Sequence, residues 1–415
     1  MKNITHLLQA TQKASTKLRG LSDDKRKSLL ESIAHKISEN ESVILVENQK
    51  DLDRMDDSNP KKDRLLLNHS RIQDLVDGLN SVAQLSDPTG KILSEYTTDK
   101  GLNIQKISVP LGVVGVIYES RPNVTIDVAA LCLRSGNAVV LRGGSDAEFT
   151  NLILVSLIHQ ALEENDLPTD LVQLLPIDRV FVKELLLADK YVDIIIPRGS
   201  QELINFVREH SKVPTIETGA GVCHTYVESS ANLENAAKIV VNAKTQRPSV
   251  CNSLDTVLVD QSVAAEFLPL LIEGFNEFKV EIFADEPSYS ILSKARYPYL
   301  EKANEDSFGM EYLSQKCSIK VVEGLEEALN HIQEFSSKHS EAIITQNNEF
   351  AEKFLNDVDA AAVYVNASTR FTDGGVFGLG AEIGISTQKL HARGPFALEK
   401  LTTEKWICRG EGQIR

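Results

Sequence analysis

Several features that mark other classes of protein are missing from this 415-residue sequence. Its most apolar stretch, residues 107–118, is too short to span a bilayer and is interrupted by Pro110, Gly112 and Gly115, and no apolar signal core precedes it. The five cysteines form no C-x-x-C pair, which argues against a disulfide framework and a structural zinc site. We therefore expect a cytoplasmic protein with no membrane partner and no bound metal.

Positive charge is also scarce. The sequence has 44 Lys and Arg residues against 59 Asp and Glu residues, a formal net charge of −15 at pH 7, and contains no basic stripe with interleaved aromatic residues. Such a surface repels phosphodiester backbones, which argues against nucleic acid as a partner. An anionic small substrate would need a few arginines or lysines that converge locally, so individual arginines become candidates.

The sequence does contain an alternation of helix-like and strand-like segments, and its length predicts two or three packed units. Helical spacing of apolar residues dominates the first eighty-odd residues. From Gly112, β-rich runs alternate with helices as in a doubly wound parallel sheet, with a helix predicted at residues 126–134 and a strand at 215–216. A second α/β unit follows Gly221, with a helix predicted at residues 264–275. Residues 404–409 are typical of a strand that pairs with a neighbouring subunit.

Cys251 is the candidate nucleophile. It lies in K-T-Q-R-P-S-V-C-N, residues 244–252, where Pro248 predicts a loop and Lys244 and Arg247 supply positive charge. Nearby cations lower the pKa of a thiol and raise the fraction of reactive thiolate. A free cysteine is, however, more often a small buried hydrophobic residue. The spacing alone therefore leaves both interpretations open.

Six segments together resemble the γ-glutamyl phosphate reductase family, a branch of the aldehyde dehydrogenase superfamily. Besides the cysteine loop they are V-I-Y-E-S-R-P-N-V-T (116–125), N-A-V-V-L-R-G-G-S (137–145), Y-V-N-A-S-T-R-F-T-D-G-G (364–375), F-G-L-G-A-E (377–382) and S-T-Q-K-L-H-A-R-G-P (386–395). They follow the order of the family. The resemblance covers most of the chain.

The resemblance implies an aldehyde dehydrogenase-like α/β fold with a Rossmann-type cofactor domain, a second α/β catalytic domain and a small β oligomerisation arm. The expected boundaries are 1–220 for the cofactor domain, with a contribution to the β-arm near 92–110, and 221–368 for the catalytic domain. Residues 369–415 would return to the cofactor domain and form the arm. A homodimer or a higher homo-oligomer is implied as well.

The chemistry that the resemblance implies is the NADPH-dependent reduction of L-glutamate 5-phosphate to L-glutamate 5-semialdehyde and phosphate, the second step of proline biosynthesis. Cys251 would attack the acyl phosphate and hold the glutamyl group as a thioester until hydride arrives from the nicotinamide. Asn123 and the backbone N–H of Cys251 would stabilise the oxyanion of each tetrahedral species. By its local sequence alone, Asn123 fits a turn residue in a loop after a strand. A labile acyl phosphate would also favour contact with glutamate 5-kinase.

No G-x-G-x-x-G follows the first predicted strand, so the cofactor-binding residues rest on the resemblance. Arg142 and Ser145 match the positions around the adenosine ribose, where an arginine beside a neutral residue suits the 2′-phosphate of NADPH. Gly199 and Ser200 match a turn that contacts the pyrophosphate at the start of a helix. Glu311 matches the glutamate that binds the nicotinamide ribose. A solvated arginine, a helix cap and an exposed carboxylate are the alternatives.

Arg121 and Arg247 are the candidate substrate-binding residues. Arg121 lies two residues before Asn123 and Arg247 four before Cys251, and guanidinium groups suit both phosphate and carboxylate. Arg370 ranks behind them, and surface salt bridges are the alternative for all three. The sequence does not say which arginine holds which anion.

Glu217 matches the base with which oxidising members of the superfamily hydrolyse their thioester. A reductase that starts from an acyl phosphate has no use for that hydrolysis, so Glu217 stays outside the predicted catalytic set. Its presence keeps a hydrolytic aldehyde dehydrogenase as one alternative function. A catalytically silent protein that uses the fold for binding is the other.

Overall fold

The computed structural model describes residues 3–56, 59, 62–119 and 121–414. The chain forms two compact units. Unit 1 consists of Met1–Thr218, Gly378–Gly384 and Leu390–Arg415, and unit 2 of Gly219–Phe377 and Ile385–Lys389. These units are defined by how the chain packs and not by what each unit binds. The assignment of a cofactor-binding domain and a catalytic domain therefore stays a prediction.

Unit 1 begins with helices whose apolar faces pack into a common core. In α2, Ser22 caps the first turn by accepting from the backbone N–H of Lys25, and Leu29, Ile33 and Ile37 are buried at helical spacing. The elements are α1 (Thr5–Leu18), α2 (Asp23–Glu39), α3 (Glu41–Asp53), α4 (Lys62–Leu65), α5 (His69–Gln84), β1 (Ile92–Thr97), β2 (Asn103–Pro110), β3 (Val113–Tyr118), α6 (Pro122–Arg134), β4 (Ala138–Arg142), α7 (Glu148–Glu164), β5 (Val172–Leu174), α8 (Arg179–Leu186), β6 (Ile194–Arg198) and α9 (Gln201–His210).

The central sheet of unit 1 is parallel, with the strand order β5-β4-β3-β6. All six residues of β3 are buried, as expected for a strand covered on both faces. The chain moves outward from β3 to β5 and then returns to the other side of β3 as β6. The carboxyl ends of β3 and β6 therefore flank the position where ligands bind in such sheets.

Two predictions in unit 1 need correction. Residues 215–216 form no strand, and Thr215 contributes only an isolated bridge to Ile195. The helix predicted from residue 126 begins earlier, at Pro122, because proline suits the first helical position, where its missing N–H costs nothing. Asn123 accordingly lies in the first turn of α6 and not in a loop.

Unit 2 contains a seven-stranded sheet with the order β10-β9-β11-β8-β7-β12-β13, and its pairings are parallel. The predicted helix 264–275 is wrong as a single element, because the structure has two helices that meet at Leu271. The elements are β7 (Cys223–Val227), α10 (Leu233–Thr245), β8 (Leu254–Asp260), α11 (Gln261–Leu270), α12 (Ile272–Glu277), β9 (Glu281–Ala284), α13 (Glu286–Lys294), β10 (Leu300–Lys302), β11 (Lys316–Val322), α14 (Leu325–Phe335), β12 (Ser340–Ile344), α15 (Asn348–Asp357) and β13 (Ala362–Val365).

The C-terminal part of the chain adds β14 (Gly384–Ser386), β15 (Gly394–Phe396) and β16 (Thr402–Arg409). β16 pairs antiparallel with β2 of the same chain, in a three-stranded sheet of order β1-β2-β16. The other edge of β16 is still predicted to pair with a neighbouring subunit. The role of this sheet as an oligomerisation arm also stays a prediction. Among the residues described, no helix has the length and apolarity needed to cross a membrane.

Candidate active site

Cys251 lies in the turn between α10 and β8 and is half-buried. The other cysteines differ in their surroundings. Cys132, Cys223 and Cys317 are buried, and burial raises the pKa of each of these thiols, whereas Cys408 is exposed on β16. A nucleophilic thiol needs access to solvent and an environment that tolerates a thiolate. Cys251 meets the first requirement, and it lies beside cations.

The backbone of Cys251 is held by residues at the start of the adjacent strand β7. A Cβ added to Gly221 would lie 1.5 Å from the carbonyl oxygen of Cys251, so only glycine fits there. The thiol of Cys223 donates to the same carbonyl at 3.2 Å. Glu311 in turn accepts from the backbone N–H of Gly221 at 2.8 Å, and burial raises the pKa of Glu311 against the effect of this bond. The predicted nucleophile and Glu311 are thus linked through Gly221.

The segment that carries Arg370 is tied to the residue after the cysteine. The Asn252 side chain donates to the backbone carbonyl of Thr372 at 2.8 Å and to that of Arg370 at 3.4 Å. Thr369 donates through Oγ1 to the backbone carbonyl of Asn252 at 2.8 Å. Burial lowers the pKa of Arg370, and the positive charge of Arg247 lowers it further. The structure therefore brings Arg247 and Arg370 together beside the cysteine.

These residues of unit 2 share one edge of its sheet. Gly221 precedes β7, Cys251 precedes β8 and Glu311 precedes β11. Because the strands are parallel, their amino ends lie along the same edge. The candidate nucleophile is therefore at the amino edge of the seven-stranded sheet.

In unit 1, Arg121 and Asn123 lie at the start of α6, directly after the carboxyl end of β3. Arg121 is the N-cap residue, and the Asn123 side chain donates to the Asp127 carboxylate at 3.0 Å. Burial raises the pKa of Asp127 to about 6, and the Asn123 hydrogen bond and the charge of Arg198 oppose that shift. The amide of Asn123 is thus fixed by a carboxyl group that titrates in the weakly acidic range.

Arg142 ends β4 and is half-buried. Its terminal nitrogens donate to the backbone carbonyls of Gly143, at 3.2 Å, and Ile177, at 2.5 Å, whereas its buried Nε donates to none of the residues described. Burial lowers the pKa of Arg142, and Arg179 lowers it further. Ser145 is exposed close by, in a 3₁₀ turn.

A cavity of about 410 Å³ lies at the carboxyl ends of β4 and β5. Gly143, Gly144, Ile177 and Asp178 contribute to its lining. Two of these lining residues, Gly143 and Ile177, accept hydrogen bonds from the Arg142 guanidinium through their backbone carbonyls. The arrangement can accept a sugar with a phosphate group.

Gly199 and Ser200 form the turn between β6 and α9, and Ser200 caps the helix by accepting from the N–H of Leu203. The backbone N–H and the hydroxyl of Ser200 donate to the Glu119 carboxylate, at 3.1 and 3.3 Å. A Cβ on Gly199 would come within 2.7 Å of the same carboxylate. The turn can therefore hold an anion, as helix N-termini do, and here the anion is Glu119.

Glu217 lies in unit 1 with its side chain 18% exposed, 3.6 Å from the Arg208 guanidinium. Within the described ranges, no group of three or more His, Cys, Asp and Glu residues could hold a metal ion.

The structure thus groups the predicted site residues within each unit. In unit 1, Arg121, Asn123, Arg142, Ser145, Gly199 and Ser200 all follow the carboxyl ends of neighbouring parallel strands. In unit 2, Cys251, Arg247 and Glu311 lie near the amino ends, and Arg370 joins them. Sequence reasoning missed Gly221 and Asn252. Asn252 stands inside the cysteine motif, whereas the close approach of Gly221 had no local signal.

Comparison with known proteins gives a consistent result. The aldehyde dehydrogenase family model matches residues 1–305. A γ-glutamyl phosphate reductase of Chlorobaculum parvum is 54% identical over 414 residues, 99% of this chain and 98% of that protein. One of Bacteroides fragilis is 51% identical over 415 residues, covering 100% of both chains. The crystal structure of γ-glutamyl phosphate reductase from Thermotoga maritima, 42% identical, superimposes with a TM-score of 0.95 and 100% coverage of both chains.

Proposed function

Because the chain belongs to the γ-glutamyl phosphate reductase family of the aldehyde dehydrogenases, we propose that it reduces L-glutamate 5-phosphate to L-glutamate 5-semialdehyde with NADPH and releases phosphate. This reaction is the second step of proline biosynthesis. The aldehyde dehydrogenase-like α/β fold implied by the sequence motifs is confirmed. The observation that carries the proposal is the half-buried Cys251 in a turn beside two arginines, in a chain similar over its full length to reductases of that name.

The thiolate of Cys251 attacks the carbonyl carbon of the acyl phosphate and forms a C–S bond. The bond between the carbonyl carbon and the oxygen that bridges to phosphorus then breaks. Phosphate leaves with the bonding electrons and takes up a proton from water. Gly221 and Cys223 support this role because they hold the backbone of Cys251 in place. Such fixed geometry is what a nucleophile needs to attack repeatedly from one direction.

Each addition to the carbonyl group creates an oxyanion that needs hydrogen-bond donors. We assign this role to the backbone N–H of Cys251 and to the side chain of Asn123. A donor whose position is fixed before the reaction costs no reorganisation when the charge develops. The hydrogen bond from Asn123 to Asp127 supplies that fixed position.

The cofactor-binding residues of the proposal lie in unit 1. Arg142, whose buried Nε has no hydrogen-bond partner among the described residues, and the cavity at Gly143 and Gly144 would take the phosphorylated ribose of NADPH, and Ser145 adds no negative charge that would repel it. Gly199 and Ser200 would hold the pyrophosphate in place of the Glu119 carboxylate. Glu311 in unit 2 would accept from the nicotinamide ribose. When bound, NADPH supplies the hydride that reduces the thioester to the aldehyde.

The proposal includes homodimers or higher homo-oligomers formed through the β1-β2-β16 sheet. Tyr96 and Trp406 are half-exposed large side chains on its outer strands, which suits an interface. Contact with glutamate 5-kinase and a cytoplasmic location, where free cysteines stay reduced, complete the proposal.

The test uses the reaction in reverse. The protein is mixed with glutamate 5-semialdehyde and NADP, with and without phosphate or arsenate, and NADPH formation is followed by its fluorescence. Turnover that requires the added anion supports the reductase, because the thioester can then be released only as an acyl phosphate. Turnover without either anion would identify a hydrolytic aldehyde dehydrogenase, and no turnover with an unreactive Cys251 would identify a silent protein.

A further inference from the structure

Arg247 and Arg370 form a pair of cations with no ion-paired carboxylate among the residues that the structure describes. Arg247 makes no hydrogen bond or ion pair with the described part of the chain. Arg370 donates from Nε to the side-chain oxygen of Gln246 at 3.1 Å, and within the described residues its two terminal nitrogens donate to nothing. This lack of pairing is notable in a chain with a net charge of −15.

Asp373, a carboxylate that acts on Arg370, does not neutralise the pair. Asp373 raises the pKa of Arg370 by less than burial and Arg247 each lower it. Its Oδ1 accepts from the backbone N–H groups of Gly375, at 2.9 Å, and Val376, at 3.2 Å, so this carboxylate is committed to its own loop. The two guanidinium groups therefore repel each other, and an anion bound to both would remove that repulsion.

Arg370 is also held rigidly. Its side chain is anchored at Nε by Gln246, the residue next to Arg247, and its backbone carbonyl by Asn252, the residue next to Cys251. Asn252 is 4% exposed, so this tether is inside the unit. The anchoring at Nε leaves the forked end of the guanidinium for a ligand.

We propose that Arg247 and Arg370 together bind the phosphate group that leaves when Cys251 is acylated, and not the α-carboxylate of the substrate. The inference rests on the proposed function. Negative charge grows on the phosphate oxygens as the C–O bond breaks, and two guanidinium groups match a phosphate dianion better than a carboxylate monoanion. In the reverse direction the same pair holds inorganic phosphate for attack on the thioester carbonyl carbon, which expels the Cys251 thiolate.

The first experiment measures the reverse reaction of Arg370→Gln and Arg247→Gln. The KM for phosphate should rise at least about tenfold in each variant, as for a lost hydrogen bond to a charged group, while the KM for the semialdehyde should change less than about twofold. Lys238→Gln, which removes an exposed lysine from α10, should leave both values unchanged. A rise in the KM for the semialdehyde with an unchanged KM for phosphate would overturn the assignment.

A second experiment needs no turnover. Inorganic phosphate should protect Cys251 from alkylation by iodoacetamide, and the half-protecting concentration should rise at least about tenfold in both arginine variants and stay constant in Lys238→Gln. If phosphate protects through the arginines but the reverse reaction does not require it, the phosphate site stands and the proposed function fails. If the reaction requires phosphate but the half-protecting concentration and the KM for phosphate are the same in both arginine variants as in the wild type, the proposed function stands and this inference fails. Thermal unfolding curves of the variants that match the curve of the wild type exclude misfolding as the cause of any change.

Discussion

The two units both contain parallel sheets, yet they place their candidate site residues at opposite edges. In unit 1, Arg142 ends β4 and Ser200 follows β6, at the carboxyl edge where ligands of open α/β sheets bind. In unit 2, Gly221 precedes β7 and Cys251 precedes β8, at the amino edge. The same architecture therefore provides two chemically different environments.

The difference follows from the helices between the strands. At the carboxyl edge each helix begins, and its free N–H groups attract anions, as Ser200 does with Glu119. At the amino edge each helix ends, and α10 directs its carbonyl groups toward the loop of Cys251. This negative end disfavours a thiolate and a phosphate. In unit 2, side-chain cations such as Arg247 and Arg370 must therefore stabilise these negative charges. In unit 1, the backbone amides at the helix N-termini can stabilise an anion.

The largest expected effect tests the nucleophile at the amino edge. Cys251→Ala should lower phosphate-dependent turnover on the order of 10⁴-fold or more, since loss of a covalent nucleophile removes both steps. Cys317→Ala is the matched control, because it removes a buried thiol on β11 that does not hold the Cys251 loop, and it should retain most of the activity. Steady-state rates of both variants decide the matter, and full activity of Cys251→Ala would eliminate the thioester mechanism.

The next effect tests whether the backbone geometry at this edge matters. Gly221→Ala would place a Cβ 1.5 Å from the Cys251 carbonyl oxygen and 2.7 Å from its Cα, so the cysteine must move. A displacement of about 1 Å costs roughly 100-fold in turnover. At Gly219 the nearest atom is the Thr387 hydroxyl oxygen at 2.8 Å, the end of a side chain, so Gly219→Ala should be milder. Equal activities would show that the close approach is irrelevant to catalysis.

At the carboxyl edge, Arg142→Met should weaken binding of 2′,5′-ADP about tenfold to 100-fold, because one charged hydrogen-bond donor is lost. Binding of 5′-AMP, which lacks the 2′-phosphate, should change little. Calorimetry with the two fragments separates a phosphate-binding role from a structural one. An equal loss for both would mean that Arg142 only supports the carbonyl groups of Gly143 and Ile177.

Much of unit 1 could be predicted from the sequence, because its strands are short apolar runs between helices. Residues 138–141, for example, form most of β4 and are fully buried. The strand β7 was missed although it lies inside the seven-stranded sheet. Its sequence C-H-T-Y-V contains His224, whose backbone N–H and ring nitrogen both bond to the buried Glu341 carboxylate. A polar strand whose partners lie far away in the chain has no local apolar pattern to reveal it.

The candidate site divides in the same way. Cys251 and Arg247 stand in one motif, so the family resemblance identified them together. The roles of Gly221 and Asn252 depend on contacts with the Cys251 carbonyl and with the segment that carries Arg370. These contacts join residues that are distant in sequence, so the periodicity of apolar residues along the chain cannot predict them. The amino edge was also unexpected because the rule for open α/β sheets directs attention to the carboxyl edge.

The smallest effect concerns the support of Asn123 at the carboxyl edge and depends on pH. Burial raises the pKa of Asp127 from 3.8 to about 6 in the folded protein, so between pH 4 and pH 6 the unfolded chain has released a proton that the folded protein still holds. Stability from this group is therefore complete below pH 4 and falls as pH rises through that window. The unfolding free energy of Asp127→Asn relative to the wild type should improve by about 2 kcal/mol between pH 4 and pH 7, measured by urea denaturation. Asp74→Asn on the exposed face of α5 should show no such slope, and a flat difference for Asp127→Asn would mean that its carboxyl group is already ionised at pH 4.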